Sequence, residues 1–298
     1  MNIARCRNLP SLGIKFGRCL SSSAISAERL VSWTVDKETR VGTLTLQSPD
    51  TFNALTVEMG QEFQKTCASV LKDLTEGKQE VSAIVLKGAG DKAFSAGGNF
   101  DWLRSLKQNS VPFNTDLMLQ FYKSFLCVRT LPVPVIASLQ GPAIGAGAGL
   151  ALACDLRTAA KKPKILGFNF STLGIHAGMG GSHLLDKALG GRSALVNEIL
   201  LTGKVLSGQE CFELGLVNRL SDDSDSDAYE LAHSIGRQHP VAVRTMLQTM
   251  RSRQNEGLEQ ALHREAMAQA VCYSRADWGE GVDAVAEKRQ PIFDDYHG

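Results

Sequence analysis

Two glycine-rich turns constrain this 298-residue chain more than any other feature. Ala93-Phe-Ser-Ala-Gly-Gly-Asn-Phe100 follows the apolar run Val81–Lys87, and Gly141-Pro-Ala-Ile-Gly-Ala-Gly-Ala-Gly149 follows Val135–Leu139. A short apolar run closed by glycine reads as a buried strand. Each turn then leads into a segment with helical spacing. A strand that passes through a tight turn into a helix is the repeating step of an α/β fold. Glycine and alanine at such a turn also let a second backbone or a ligand approach the main chain closely.

The other segments agree with that class. Residues 41–47 alternate as a strand does. A helix is expected over 56–74, with Met59, Phe63, Cys67, Val70 and Leu71 on one face. Residues 101–107 form a short helix, 108–116 have loop composition, and a helix follows over 117–130. Residues 146–153 read as a helix, and 155–160 and 164–168 as strands. From Gly180 onward the pattern is helical, over 193–201, 207–214, 229–238, 241–254 and 258–274. The acidic Ser221-Asp-Asp-Ser-Asp-Ser-Asp227 reads as a linker, and no internal repeat is visible.

Residues 1–27 differ from the rest. They carry Arg5, Arg7, Lys15 and Arg18 with Ser21, Ser22, Ser23 and Ser26, and no acid precedes Glu28. Basic, serine-containing and acid-free is the composition of an organellar transit peptide, which predicts the mitochondrial matrix. The whole chain has a net charge of +1; setting those four cations aside leaves 28 Lys+Arg against 31 Asp+Glu, a net −3. A mildly acidic protein is a poor general nucleic-acid binder. The seven cysteines show neither CxxC nor Cys/His ligand spacing, so no metal and no disulfide framework is expected. No apolar stretch reaches membrane-spanning length without glycine or charge breaks.

A helix N-terminus offers unpaired N–H groups and a dipole that favours negative charge. Two such turns brought together can hold the oxyanion of a reacting carbonyl, where one lost donor costs about 2.7–4 kcal/mol of barrier. Taken singly each turn is weak evidence. Gly145-x-Gly147-x-Gly149 lacks the spacing of a dinucleotide fingerprint, and neither a Walker A motif nor a GxSxG elbow is present.

The set of short motifs around the turns is more specific. Asn53-Ala-Leu55, Ala93-Phe-Ser-Ala-Gly-Gly-Asn99, Pro134-Val-Ile-Ala-Ser-Leu-Gln-Gly141, Ala153-Cys-Asp155, Leu173-Gly174, Gly180-Gly181, Leu201-Thr-Gly203, Gly215-Leu-Val217 and Glu287-Lys-Arg289 occur in an order and spacing that resemble the crotonase superfamily, the enoyl-CoA hydratase/isomerase family. The resemblance runs from about Val41 to Phe293. It implies a crotonase-like spiral of ββα units with a helical C-terminal part. It also implies a homotrimer or dimer of trimers and no cofactor beyond the coenzyme A carried by the acyl-CoA substrate. The domain reading is then a transit peptide over 1–27, an acyl-CoA-binding core over 28–220 and a helical oligomerisation region over 228–298. The resemblance implies that the N–H groups of Gly98 and Ala146 form the oxyanion hole and that the backbone at Ala96 holds the pantetheine arm, with Gly149 and Phe170 in the substrate site.

The departures matter as much. Enoyl-CoA hydratases that resemble this chain carry catalytic glutamates where Gly149 and Phe170 stand, and dienoyl isomerases want acids near 149, 170 and 178, here Gly149, Phe170 and Gly178. Two carboxylates hold and activate the added water, so ordinary hydration is not expected. His176 has two readings: a proton donor, since imidazole titrates near neutrality, or a packed loop residue bonded to backbone. His183, Asp101 and Asp155 read as structural or solvent-facing, and Ser95 is no nucleophile without a base beside it. Decarboxylation of a malonyl-type CoA needs mainly the hole and a dry pocket, which Phe170 suits. The alternatives are an unconventional enoyl-CoA hydratase or isomerase, and a catalytically silent acyl-CoA-binding subunit. RNA binding through Lys65, Lys72 and Lys78 is disfavoured by their admixture with Glu58, Glu62, Asp73 and Glu76.

Overall fold

The computed structural model of the chain describes residues 29–275 and 277–294. The transit-peptide reading of residues 1–27 falls outside them. A six-stranded sheet is built from β1 (Val31–Asp36), β2 (Val41–Leu46), β3 (Ala83–Gly88) and β4 (Val135–Leu139), and a three-stranded sheet begins at β5 (Ala143–Ile144). The chain returns to the large sheet with β6 (Leu156–Ala160), to the small one with β7 (Leu166–Gly167) and β8 (Val205–Leu206), and ends its strands at β9 (Arg219–Ser221). The large sheet has the order β1-β2-β3-β4-β6-β9 and the small one β5-β7-β8. Among the described residues only the β1–β2 and β7–β8 pairs are antiparallel.

The central strands explain the two-sided burial. On β3, Ile84 and Leu86 join the main core while Ala83 and Val85 face a second, smaller cluster. On β4, Val135, Ala137 and Leu139 point one way and Ile136 the other. Successive side chains alternate across a strand, so a sheet covered on both faces needs an unbroken apolar run.

The helices are α1 (Val57–Thr75), α2 (Phe100–Ser105), α3 (Val111–Leu126), α4 (Ala146–Ala153), α5 (Gly181–Ala188), α6 (Ser193–Thr202), α7 (Gly208–Glu213), α8 (Ser224–Gly236), α9 (Pro240–Asn255), α10 (Leu258–Tyr273) and α11 (Trp278–Glu287). Thr56 caps α1 by accepting from the Met59 N–H, and of the expected face Met59, Phe63, Cys67 and Val70 are buried while Leu71 is partly buried. Ser207 and Glu210 form a reciprocal capping box on α7. Among the described residues no helix is long and apolar enough to cross a membrane.

Three expectations are corrected. The stretch 108–116 is not a loop throughout: α3 begins at Val111, because Ser110 caps it and Pro112 sits in its first turn, where its missing N–H costs nothing. Ser221–Asp227 is not a linker. Asp223 caps α8 by accepting from the Ser226 N–H, and Ser224 is buried with its Oγ 3.1 Å from Ser138 Oγ. Asp225 pairs with Lys87 on β3. The run of acids and serines is thus the signature of a helix start rather than of a flexible tether. The expected strand over 164–168 shrinks to Leu166–Gly167.

The C-terminal helices are pinned to the core by a buried ion pair. Arg251 of α9 donates to both oxygens of Asp155, at 2.8 and 2.6 Å, and also to the carbonyls of Arg129 and Leu131. Asp155 further accepts from the Val135 N–H at 2.7 Å. Its structural role therefore has a complete set of partners.

Candidate active site

The first turn is held from three sides. Asn53, buried and at φ 54°, donates to the carbonyls of Ala89 and Ala93 and accepts from the Ser48 N–H. Gln140 Nε2 reaches the carbonyls of Gly88 and Ala93. Ser95, fully buried, donates to Asn53 O at 2.8 Å and accepts from the Gly97 N–H at 3.2 Å. It is a brace for the turn, as its lack of a neighbouring base implied.

The two turns lie against each other through glycine. Ser95 pairs with Ala143, and the Ile144 N–H donates to Ser95 O at 2.9 Å. Gly97 sits at φ +92°, and a Cβ there would stand 2.5 Å from Ile144 O. Only glycine permits that approach. Leu55 bridges Gly98 through the Gly97 carbonyl and the Asn99 N–H, which leaves the Gly98 N–H facing the other way. Ala146 is the first residue of α4, so its N–H has no intrahelical acceptor.

Gly98 and Ala146 both line one cavity of about 490 Å³ of atom-free space, part of it open to solvent. Ala96 is on its wall, although its own N–H is engaged by Phe52 O at 2.9 Å. Phe170 lines it, buried, as do Met118, Phe121, Leu173, Ile175 and Met179. Among the described residues no Asp or Glu lines it. Two donors facing an apolar wall can hold a developing negative oxygen where water is scarce.

Gly149 and His176 lie apart from this cavity. A Cβ on Gly149 would stand 2.8 Å from both Cβ and O of Met179, so the fold has filled the room beyond position 149 with methionine. Met179 itself is fully buried at φ 60°. The His176 ring places Nδ1 2.7 Å from Ala177 O. It is the His176 carbonyl that turns inward, accepting from Gln269 Nε2 at 2.7 Å. His183 bonds Gln254 O, and Asp101 is exposed on the first turn of α2.

The cavity also holds polar groups absent from the sequence reading. Tyr122 of α3 and Tyr273 of α10 both reach Gln269 Oε1, at 2.6 and 2.9 Å. Burial pushes both phenols above their ordinary pKa, so they keep their protons. The signal for this cluster lay in α10, where Glu265, Gln269 and Tyr273 follow at four-residue spacing along the same face as Leu262, Ala266 and Ala270. Glu265 caps the loop below, accepting from the Gly180 and Ser182 N–H groups at 2.7 and 2.9 Å; burial pushes its carboxyl up against the pull of those donors. Asn169 Oδ1 is buried beside the cavity without a partner among the described residues.

Comparison with known proteins adds a family to this geometry. The model of the enoyl-CoA hydratase/isomerase family matches residues 36–296. A Thermus thermophilus protein provisionally named enoyl-CoA hydratase is 33% identical over 255 residues, covering 85% of this chain and 97% of that protein. The short-chain-enoyl-CoA hydratase of Clostridium acetobutylicum is 29% identical, covering 86% of this chain and 95% of its own length. A crystal structure of an enoyl-CoA hydratase from Mycobacterium avium subsp. paratuberculosis overlays with a TM-score of 0.75 at 26% identity, over 89% of this chain and 99% of the other.

Proposed function

The chain belongs to the enoyl-CoA hydratase/isomerase family, and from that footing we propose that it acts on an acyl-CoA whose thioester enolate is held by the Gly98 and Ala146 amides. The reaction we favour is loss of CO2 from a malonyl-type acyl group. One observation carries this reading: Gly98 and Ala146 line a cavity whose walls, among the described residues, include no carboxylate. Hydration and isomerisation by carboxylates need an acid or base beside the hole. Decarboxylation needs a sink for the electron pair left by CO2, together with a wall that strips water from the departing carboxylate. Phe170 and Met179 supply such a wall.

A panel of acyl-CoAs read by mass spectrometry tests it. Methylmalonyl- or ethylmalonyl-CoA should lose CO2, and crotonyl-CoA should gain no water. Hydration by another route is the second reading, favoured by the names of the relatives, and hydration of crotonyl-CoA without CO2 release from any malonyl-type substrate would establish it instead.

Two coarser features join the proposal. Exposed Val241, Met246 and Met250 on α9 and Met267 and Val271 on α10 support an assembly of several copies through the C-terminal helices, which light scattering would measure. The composition of residues 1–27 supports import into mitochondria, tested by fusing them to a fluorescent reporter.

A further inference from the structure

The enolate left by such a reaction must be protonated, and the cavity contains few groups able to do it. Among the described residues its polar side chains are Asn169, Gln269, Tyr122 and Tyr273. Amides do not give up protons at any useful rate, which leaves the two hydroxyls. The His176 carbonyl can only accept, so the Gln269 atom facing it must be the amide nitrogen. Its Oε1 therefore faces both tyrosines, and both hydroxyls donate to it.

The two hydroxyls are not equivalent. Tyr273 Oη also faces Met118 Sδ, at 3.9 Å. Tyr122 Oη lies against the loop at Gly178, where a Cβ would stand only 2.5 Å away. Glycine at 178 is what lets this hydroxyl sit on that wall. A phenolic hydrogen turns about one bond, and if Tyr122 swings its proton toward a ligand, Tyr273 still satisfies Gln269 Oε1.

We propose that Tyr122 is the proton donor to the α-carbon of the enolate, with Gln269 and Tyr273 as residues that position it. This rests on the acyl-CoA reading above. In the step, the bond from the α-carbon to the carboxylate breaks and CO2 leaves. The electron pair passes through the enolate to form a new C–H bond with the Tyr122 proton, and the phenolate then regains a proton from water admitted as product leaves. Burial keeps the hydroxyl protonated beforehand.

The full chain is tested in D2O with two substrates. Methylmalonyl-CoA reports decarboxylation and the face on which deuterium enters; propionyl-CoA reports exchange of the α-proton, the reverse of the protonation step with the small phenolate fraction of Tyr122 as the base, which needs no loss of CO2. Wild type is expected to place deuterium on one face. Tyr122→Phe, checked for an unchanged far-ultraviolet spectrum, should lose that facial preference and slow exchange by about 10²-fold. His176→Gln should keep both the preference and the rate, whereas Tyr273→Phe, which leaves Gln269 Oε1 to Tyr122 alone, should keep the preference but slow exchange. A Tyr122→Phe enzyme that exchanges and deuterates one face at the wild-type rate overturns the assignment. Wild type that exchanges without releasing CO2 overturns the decarboxylation reading alone and leaves the exchange arm to decide on Tyr122. Wild type that does neither overturns both.

Discussion

Placing a glutamate at position 149 asks whether the hydratase arrangement is merely missing here or structurally closed. A Cβ at Gly149 meets Met179 Cβ and O at 2.8 Å and Met179 Cγ at 2.9 Å. Real Cβ atoms do not sit so near a carbonyl oxygen, and Met179, fully buried at φ 60°, has little freedom to retreat. Forced extra volume in a packed core costs about 1–3 kcal/mol. A buried polar group without partners adds about 1–3 kcal/mol, and more when charged. Gly149→Glu should therefore lose about 4 kcal/mol or more, a large share of the roughly 5–15 kcal/mol that holds a typical domain. Gly149→Ala isolates the overpacking, at about 1–3 kcal/mol. Urea midpoints give both values, and the disappearance of crotonyl-CoA measures any hydration gained. Adding Met179→Gly to Gly149→Glu should recover part of the lost stability, because it removes the Cβ and Cγ that crowd position 149 and suits the φ of 60° there. The reasoning fails if Gly149→Glu melts with the wild type and hydrates crotonyl-CoA, or if the double variant is no more stable than the single one.

Other consequences follow from the same geometry. Gly97→Ala would drive its Cβ into Ile144 O and part the two turns, so turnover of whichever acyl-CoA the panel identifies should fall by about 10²-fold or more at little cost in secondary structure. Asp155→Ala strands the buried Arg251 guanidinium and should lower the unfolding free energy by about 3–5 kcal/mol in a urea melt. Glu265 has a folded pKa raised above its usual 4.5, so the folded state holds its proton more tightly than the unfolded one. Its contribution is complete below 4.5 and is lost as pH rises through the folded value, a slope that Glu265→Gln should remove from a pH series of melts. Burial raises the Cys154 and Cys211 thiols to about 12, so a thiol reagent at pH 7.5 should leave both unlabelled in the native protein and reach them on unfolding.

What could be read from the sequence was what neighbours along the chain decide. The two turns, the strands before them and α4 depend on residues a few places apart, and they fold as their pattern requires. The errors at 108–116 and 221–227 came from composition: serine, asparagine, aspartate and proline serve loops and helix starts alike, and the distinction lies in which N–H each side chain caps. α11 escaped notice because Gly279 and Gly281 weaken its helical pattern, yet Gly281 is required there by the close approach of the Leu173 backbone. The site divides along the same line. That Gly149 and Phe170 carry no carboxylate is visible in the sequence; that Met179 fills the space is not, because the contact depends on a loop 30 positions away. Searching the sequence near the turns for an ionisable group leads to His176, whereas the protic groups in the cavity come from α3 and α10, with Tyr122 and Gln269 separated by 147 positions. Such pairings leave one trace in a sequence. Polar residues at the core spacing of an otherwise apolar helical face must find partners when buried, and in α10 the series Glu265, Gln269 and Tyr273 marks where a buried network had to be.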